Sequence, residues 1–334
     1  VGILGELSLG HAGFMSVGAF SGIIAAMSLQ DAIPSAGLRL AIAMVVGAIF
    51  AAIVGFLVGA PVLRLQGDYL AIVTLAFGEI IKELMNCLIV GVDERGMHLL
   101  FNLTGSKTAD DLHLSETGTA IIKGAQGAVG IKTISTFTAG FVLVMVTLFV
   151  VLNLVRSRQG RAIMAIRDNE IAAAASGINV SYYKMLTFTI SAFFAGITGA
   201  LYACCNAALS TTSFAFTNGS ILNSVFIVVM VVVGGMGSLT GSVIAAVVLF
   251  LLNYTIKNGA WVSALPALLQ NVFTYPMLVY SIALVIVIMF RPRGIMGSKE
   301  FALCDIPRWP AKLRAWRTAR SEGRSVQKEA RHHV

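Results

Sequence analysis

Three ionisable residues, Glu79, Lys82 and Glu83, fall within an otherwise largely apolar stretch, and His11 lies in another. Ionisable side chains at membrane depth face the interior of a helix bundle, where they pair with each other or line a substrate path. Glu79 and Lys82 are three residues apart, so they meet on one face of a helix. An internal ion pair and a substrate path with Thr74 and Phe77 as neighbours fit this spacing equally well. A lone His in the position of His11 is more often a hydrogen-bonded structural residue than a proton carrier.

Other residue patterns that would support catalysis are absent from the sequence. The four cysteines show no metal-ligand or disulfide spacing, and no His, Asp and Glu cluster or nucleophile arrangement is evident. The glycine-rich run 234–241 lacks the Gly-Lys-Ser/Thr ending of a phosphate-binding loop. We therefore interpret it as a turn between closely packed helices, and we predict no enzyme, metal site or bound cofactor. The predicted helix-packing glycines are Gly234, Gly235, Gly237 and Gly241.

The composition identifies the elements that position these residues. Of 334 residues, 57% are hydrophobic and 12% charged, whereas soluble domains carry about 25% charged residues. Continuous apolar runs predict an all-α polytopic membrane protein with about eight hydrophobic segments, because a spanning helix needs about 20 apolar residues. The predicted segments are 13–29, 38–62, 69–90, 134–155, 185–205, 221–234, 239–256 and 272–290.

Two of these segments are expected to be irregular. The glycines between Gly10 and Gly18 predict a broken helix, and segment 221–234 is short for a full span. Broken backbone at membrane depth is stable only inside protein or beside a water-filled cavity. These breaks therefore predict the interior of the bundle.

Basic residues predict the orientation. Most of the 24 Lys and Arg residues fall in the loop 156–184 and in the tail beyond residue 290, and positive residues favour the cytoplasmic side. We predict a transmembrane domain over 1–298, an extracytoplasmic loop over 92–133, a cytoplasmic loop over 156–184 and a basic cytoplasmic tail over 299–334. The tail could lie on anionic lipid or be disordered, and nucleic-acid binding is a weaker interpretation.

The loop 156–184 contains a short helix pattern. Asp168 or Asn169 can cap its start, the run Ala172–Ala175 has high helix propensity, and Gly177 suits the left-handed residue that ends it. Such a narrow helix could enter a groove on another protein. Composition alone favours an ordinary solvated loop.

Six blocks in order resemble the permease subunits of branched-chain amino acid ABC importers, in the LivM-like branch. Together they cover most of residues 5–297. The blocks are 7–14, 67–80, 124–131, 165–173 with 177–180, 233–241 and 291–297.

This resemblance implies a permease bundle of the type II importer-like class in a bacterial inner membrane, with a cytoplasmic C-terminus. It also implies a second, LivH-like permease, two ATP-binding subunits that carry the ATP, and a periplasmic or lipid-anchored substrate-binding protein. The short cytoplasmic helix would enter a cleft of the ATPase and transmit its closure. The residues expected to couple the chain to the ATPase are Arg161, Arg167, Asp168, Asn169, Glu170, Ala172, Ala173 and Gly177.

The sequence also departs from the family pattern. Relatives usually have a further hydrophobic segment before Ser8, and this sequence begins without it; residues 93–122 enlarge the outer loop. A permease for urea or a short amide is an alternative within the same family. An ion-coupled secondary transporter, a different class, would be expected to contain more buried acidic or Arg relay residues than this chain supplies.

Overall fold

The computed structural model describes residues 2–30, 32–65, 67–93, 96–102, 109–112, 118–215, 224–235 and 237–258, together with Val285 and Met289. The helices in these ranges are α1 (His11–Ser28), α2 (Ala36–Val62), α3 (Asp68–Asn86), α4 (Phe137–Arg156), α5 (Arg158–Asp168), α6 (Glu170–Ala175), α7 (Val180–Cys205), α8 (Ser224–Gly234) and α9 (Leu239–Asn258). The strands are β1 (Leu88–Asp93), β2 (Gly96–Phe101), β3 (Thr119–Lys123), β4 (Ala128–Val129) and β5 (Ala208–Leu209).

Four helices, α1, α2, α4 and α7, are long and apolar enough to cross a membrane. Helix α8 and the apolar part of α9 are shorter. The prediction of eight segments is therefore not confirmed, and its last segment, 272–290, lies outside the described residues except for Val285 and Met289. Several apolar helices in one chain nevertheless indicate a multi-pass membrane protein.

Helices α1, α2 and α7 form the centre of the bundle by close backbone approach. A Cβ atom placed on Gly47 in α2 would lie 2.7 Å from the carbonyl oxygen of Gly18 in α1 and 3.0 Å from the Cβ of Ala200 in α7. Small residues stabilise helix pairs in membranes because they allow this approach. Larger side chains such as Phe20 and Ile23 fill the remaining space and are fully buried.

The predicted helix break between Gly10 and Gly18 is wrong. Helix α1 begins at His11 and continues without interruption through Gly13 and Gly18. These two glycines instead lie against the glycines Gly78 and Gly196 of neighbouring helices. Glycine in a membrane helix can serve packing rather than flexibility, and the sequence pattern does not distinguish the two uses.

The predicted helical fold is confirmed only in part: helices predominate, but five antiparallel strands also form a small sheet in the order β2-β1-β3-β4-β5. Strand β1 pairs Leu88 with Phe101 of β2, and Val90 with Ile122 of β3. The predicted third segment, 69–90, is therefore too long, since its helix ends at Asn86. The apolar run that follows is compatible with either a helix or a strand. Because the residues with which it pairs are distant in the chain, no local pattern distinguishes the two.

The sheet and the pair α5–α6 lie at opposite ends of α7. The loop containing α6 leads into the first residue of α7, whereas β5 follows three residues after its last one and pairs with β4. A helix of 26 residues is about 39 Å long at 1.5 Å per residue. The length of α7 therefore separates two surfaces that could face opposite sides of a membrane.

Candidate functional site

Helix α6 is defined at both ends by its own sequence. The Oδ1 atom of Asn169 accepts a hydrogen bond from the Ala172 amide at 3.0 Å, so Asn169 rather than Asp168 is the N-cap. Gly177 has a φ of +83°, and the Ile178 amide returns to the Ala173 carbonyl at 3.1 Å. This backbone return around a left-handed glycine ends a helix and satisfies its last carbonyl groups. A short helix with a fixed start and end results.

The exposed surface of α6 consists mainly of apolar side chains, one isoleucine and three alanines. Ile171 is 82% exposed, and Ala172, Ala174 and Ala175 are also exposed. Ala173 is buried and packs in a cluster with Leu4, Ile163 and Ile166. The helix is therefore fixed by its inner side and presents a narrow apolar face outward.

Helix α5 supports α6 with one buried side. Ser157 caps α5 by accepting a hydrogen bond from the Gly160 amide at 3.2 Å, which sets the turn between α4 and α5. Gly160, Ile163 and Ile166 are buried. The opposite side carries basic residues, including Arg161, which is exposed and donates to the Arg156 carbonyl oxygen at 3.4 Å.

Three of the predicted coupling residues, Arg167, Asp168 and Glu170, form ion pairs within this chain. The carboxylate of Glu170 forms an ion pair with the ammonium group of Lys184 at 3.0 Å. Arg167 donates to the Gly2 carbonyl oxygen at 3.1 Å and pairs with Asp168 at 3.3 Å. Lys184 is 4% exposed and also pairs with Glu6. The sequence analysis missed the partnership of Lys184 and Glu6, for which neither residue type nor spacing provided a signal.

A basic groove adjoins the end of α6. It has a volume of about 780 Å³ and contains Arg158 and Arg161 from α5, Gly177 after α6, and Tyr182 and Tyr183 from α7. Among the residues that the structure describes, none of those lining it is acidic. Exposed guanidinium groups in such a groove favour an acidic partner surface.

The start of α1 is joined to three other helices, α3, α7 and α8, by hydrogen bonds. Nε2 of His11 lies 2.6 Å from Oγ of Ser191 in α7. The Leu9 amide donates to Oγ1 of Thr74 in α3 at 3.1 Å, and Thr74 is 1% exposed. The Ala12 amide donates to Oγ of Ser224 at 3.3 Å. His11 thus has the hydrogen-bonded arrangement that the sequence analysis favoured for it.

The charged residues of α3 form a local ion-pair group. Nζ of Lys82 lies 2.5 Å from Glu79 and 3.1 Å from Glu83. Phe77 is partly buried and packs against the main apolar cluster. The predicted pathway residues therefore divide into two groups, one at the start of α1 with His11 and Thr74, and one further along α3.

The glycines between α8 and α9 support close contact of these helices. Gly234 ends α8, and a Cβ atom on it would lie 2.6 Å from the backbone of Gly241 in α9. Gly235 has a φ of +115°, and Gly237 precedes α9. Within the described part of the chain, no group of three His, Cys, Asp or Glu residues is arranged to hold a metal ion.

Comparison with known proteins places these features in a family. Residues 1–288 match the family model described as branched-chain amino acid transport system / permease component. The chain is 33% identical over 306 residues to the high-affinity branched-chain amino acid transport system permease proteins LivM of Escherichia coli strain K12 and Salmonella typhimurium, covering 89% of this chain and 65% of each relative.

A more distant relative is the probable branched-chain amino acid transport permease protein LivM of Methanocaldococcus jannaschii. It is 24% identical over 267 residues, which are 77% of this chain and 69% of that protein. No solved structure matches the chain. The chain spans about two thirds of the length of the bacterial relatives, at 65%. On the match over residues 1–288, this chain belongs to the branched-chain amino acid transport permease family.

Proposed function

We propose that the chain is a permease subunit of an ATP-driven importer that moves branched-chain amino acids across a bacterial inner membrane. The observation that carries the proposal is α6, a capped helix whose outward side is Ile171 and three exposed alanines. A narrow apolar helix of this kind fits a groove of a partner protein. The family relationship supports an ATP-binding subunit as that partner.

In this proposal α6 enters a cleft of the ATP-binding subunit and follows its closure. The helix has little freedom relative to the permease, because Ala173 is buried and Glu170 is paired with Lys184. A movement imposed on α6 is therefore transferred to the bundle and favours one of its states. The groove with Arg158 and Arg161 would receive acidic residues of the same partner.

The orientation follows from the two ends of α7. The end with α5 and α6 would face the cytoplasm, together with the C-terminus, because basic residues concentrate there and in the tail. The end with the sheet would face outward and meet the substrate-binding protein. Strand β2 is at the edge of the sheet and exposes Met97, Leu99 and Phe101 on one side, an apolar surface suited to a protein or the membrane interface.

A second, LivH-like permease would complete the pathway. Helix α4 has no buried residue in this chain, and Phe137 and Phe149 are 89% and 69% exposed. Such a helix can face lipid on one side and a sister subunit on the other.

The substrate pathway would include the region of His11 and Thr74, with few fixed charges to retain an amino acid with an aliphatic side chain. The basic tail, 299–334, would contact anionic lipid.

The test is leucine uptake by proteoliposomes that contain the chain with its sister permease and ATP-binding subunits, supplied with the loaded binding protein. We expect Ile171→Asp to abolish ATP-dependent uptake and co-purification of the ATP-binding subunits, because a carboxylate cannot enter an apolar cleft without a large desolvation cost. Met97→Asp is the matched control for co-purification, since Met97 is also exposed and apolar but lies on the sheet, at the opposite end of α7 from α6. Co-purification that survives Ile171→Asp would overturn the proposal.

A further inference from the structure

The ammonium group of Lys184 lies between two carboxylates from different parts of the chain. Its Nζ atom is 2.7 Å from Oε1 of Glu6 and 3.0 Å from Oε1 of Glu170. The Lys184 side chain is only 5% exposed. Glu170 is the first residue of α6, whereas Glu6 precedes α1. One buried cation thus joins α6 to the segment that leads into α1.

Helix α5 holds the same segment, which we call the leading segment, residues 2–6. The Gly2 carbonyl accepts a hydrogen bond from Arg167 at 3.1 Å. Gly5 has a φ of +84° and lies so close to Arg167 that a Cβ atom would be 2.7 Å from its Cγ. Leu4 is buried beside Ile163. Helix α5 therefore contacts the leading segment directly, and α6 is joined to it through Lys184.

The leading segment reaches the start of α1 within a few residues. Leu9 is bonded to Thr74 of α3, and His11 to Ser191 of α7. Because the intervening chain is short, a shift of Glu6 must alter these contacts or the backbone between them. The leading segment is thus placed between α6 and the start of α1, in physical contact with both.

The single positive charge of Lys184 is matched by two negative charges, those of Glu6 and Glu170. Two carboxylates share one ammonium group, and Oε2 of Glu6 is buried with no hydrogen-bond partner among the described residues. An unsatisfied buried carboxylate oxygen is unfavourable. The position of Glu6 therefore depends on Lys184, because the described structure offers this carboxylate no other cation.

We infer that Lys184 is a positioning residue that transmits movement of α6 to α1 through Glu6. The inference rests on the proposed function, since it assumes that a partner ATPase moves α6. In it, the pair Lys184–Glu6 links ATP hydrolysis to the state of the bundle, while α6 and the adjoining basic groove provide docking. Without the pair, the ATPase would remain bound and would still hydrolyse ATP, but less substrate would be transported for each ATP hydrolysed.

The test compares leucine transported with ATP hydrolysed in the reconstituted importer with its binding protein. For Glu6→Gln we expect retained ATP-binding subunits and basal hydrolysis, with the leucine-to-ATP ratio reduced by about tenfold, the size of a typical coupling effect. Glu83→Gln is the matched control, because Glu83 also pairs with a lysine, at 3.1 Å, but is 64% exposed and lies near the end of α3 that leads into the sheet. Its ratio should equal that of the unchanged protein.

If Glu6 only stabilises the fold, a different result is expected. Uptake and hydrolysis would fall together in Glu6→Gln, and an unchanged ratio would overturn the inference. If Glu6→Gln does not assemble, Glu6→Asp keeps the charge but shortens its reach, and the same fall in ratio is expected. The exchange Glu6→Lys with Lys184→Glu restores the ion pair between positions 6 and 184 but places a carboxylate beside Glu170, so it should recover only part of the ratio.

Failure of this inference is distinguishable from failure of the proposed function. If Ile171→Asp abolishes docking while Glu6→Gln and Glu6→Asp leave the ratio unchanged, α6 docks but Lys184 does not transmit. If Ile171→Asp has no effect on docking or uptake, α6 is not the coupling helix, and the inference fails with it.

Discussion

The backbones of Gly18 in α1 and Gly196 in α7 are in direct contact. A Cβ atom on Gly18 would lie 2.7 Å from the carbonyl carbon of Gly196, and one on Gly196 would lie 2.6 Å from the Gly47 carbonyl oxygen in α2. The three atoms nearest to a Cβ on Gly18 all belong to the Gly196 backbone, and the side chains closest to Gly196 and Gly47 are those of the alanines Ala51 and Ala200. The packing between Gly18 and Gly196 therefore depends on backbone atoms, which cannot move aside as a flexible side chain can.

Substitution of Gly18 by Val should therefore separate α1 from α7. We expect a loss of about 1–3 kcal/mol, typical of overpacking, seen as a lower unfolding temperature in detergent. Gly37→Ala is the control, because Gly37 is helical in α2 with nothing within 4 Å of a Cβ atom. It should leave stability unchanged or raise it, and equal stability of the two variants would contradict this account of the core.

The cap of α6 should control local opening. Asn169→Ala removes the acceptor of the Ala172 amide, at a cost of about 1 kcal/mol. Hydrogen exchange of the α6 amides should then accelerate. Asn179→Ala is the matched control, since Asn179 caps α7 through the Tyr182 amide at 3.1 Å, and its effect should be confined to the start of α7. Unchanged exchange at α6 in Asn169→Ala would show that tertiary contacts alone hold the helix.

The difference between local and distant interactions explains what the sequence could predict. The cap Asn169, the alanine run and Gly177 act within one helical turn of each other, so the short helix was predictable and is present. The sheet was missed because the run 88–92 is apolar in either conformation and its partner β3 is distant in the chain, with Val90 paired to Ile122. The contact between His11 and Ser191 joins residues 180 apart, and no local pattern encodes it.

The predicted topology can be measured by cysteine labelling. After replacement of the four native cysteines, a single Ile171→Cys substitution should react with a membrane-impermeant thiol reagent only from the cytoplasmic side. A single Met97→Cys substitution should react only from outside, because the sheet and α6 lie at opposite ends of α7. Both side chains are more than half exposed, at 82% and 52%, so access does not limit the reaction. Labelling of the Ile171→Cys variant from outside would reverse the proposed orientation.

The hydrogen bond between the Leu9 amide and the Thr74 hydroxyl group should stabilise the packing of α3 against the start of α1. Thr74→Val keeps the shape of the side chain but leaves the Leu9 amide without its acceptor. A buried donor that loses its partner costs about 1–3 kcal/mol, and we expect a corresponding fall in the unfolding temperature in detergent. Thr74→Ser, the control, retains the hydroxyl group and should lose less stability. If Thr74→Ser is as unstable as Thr74→Val, the methyl group rather than the hydroxyl group secures α3 against α1.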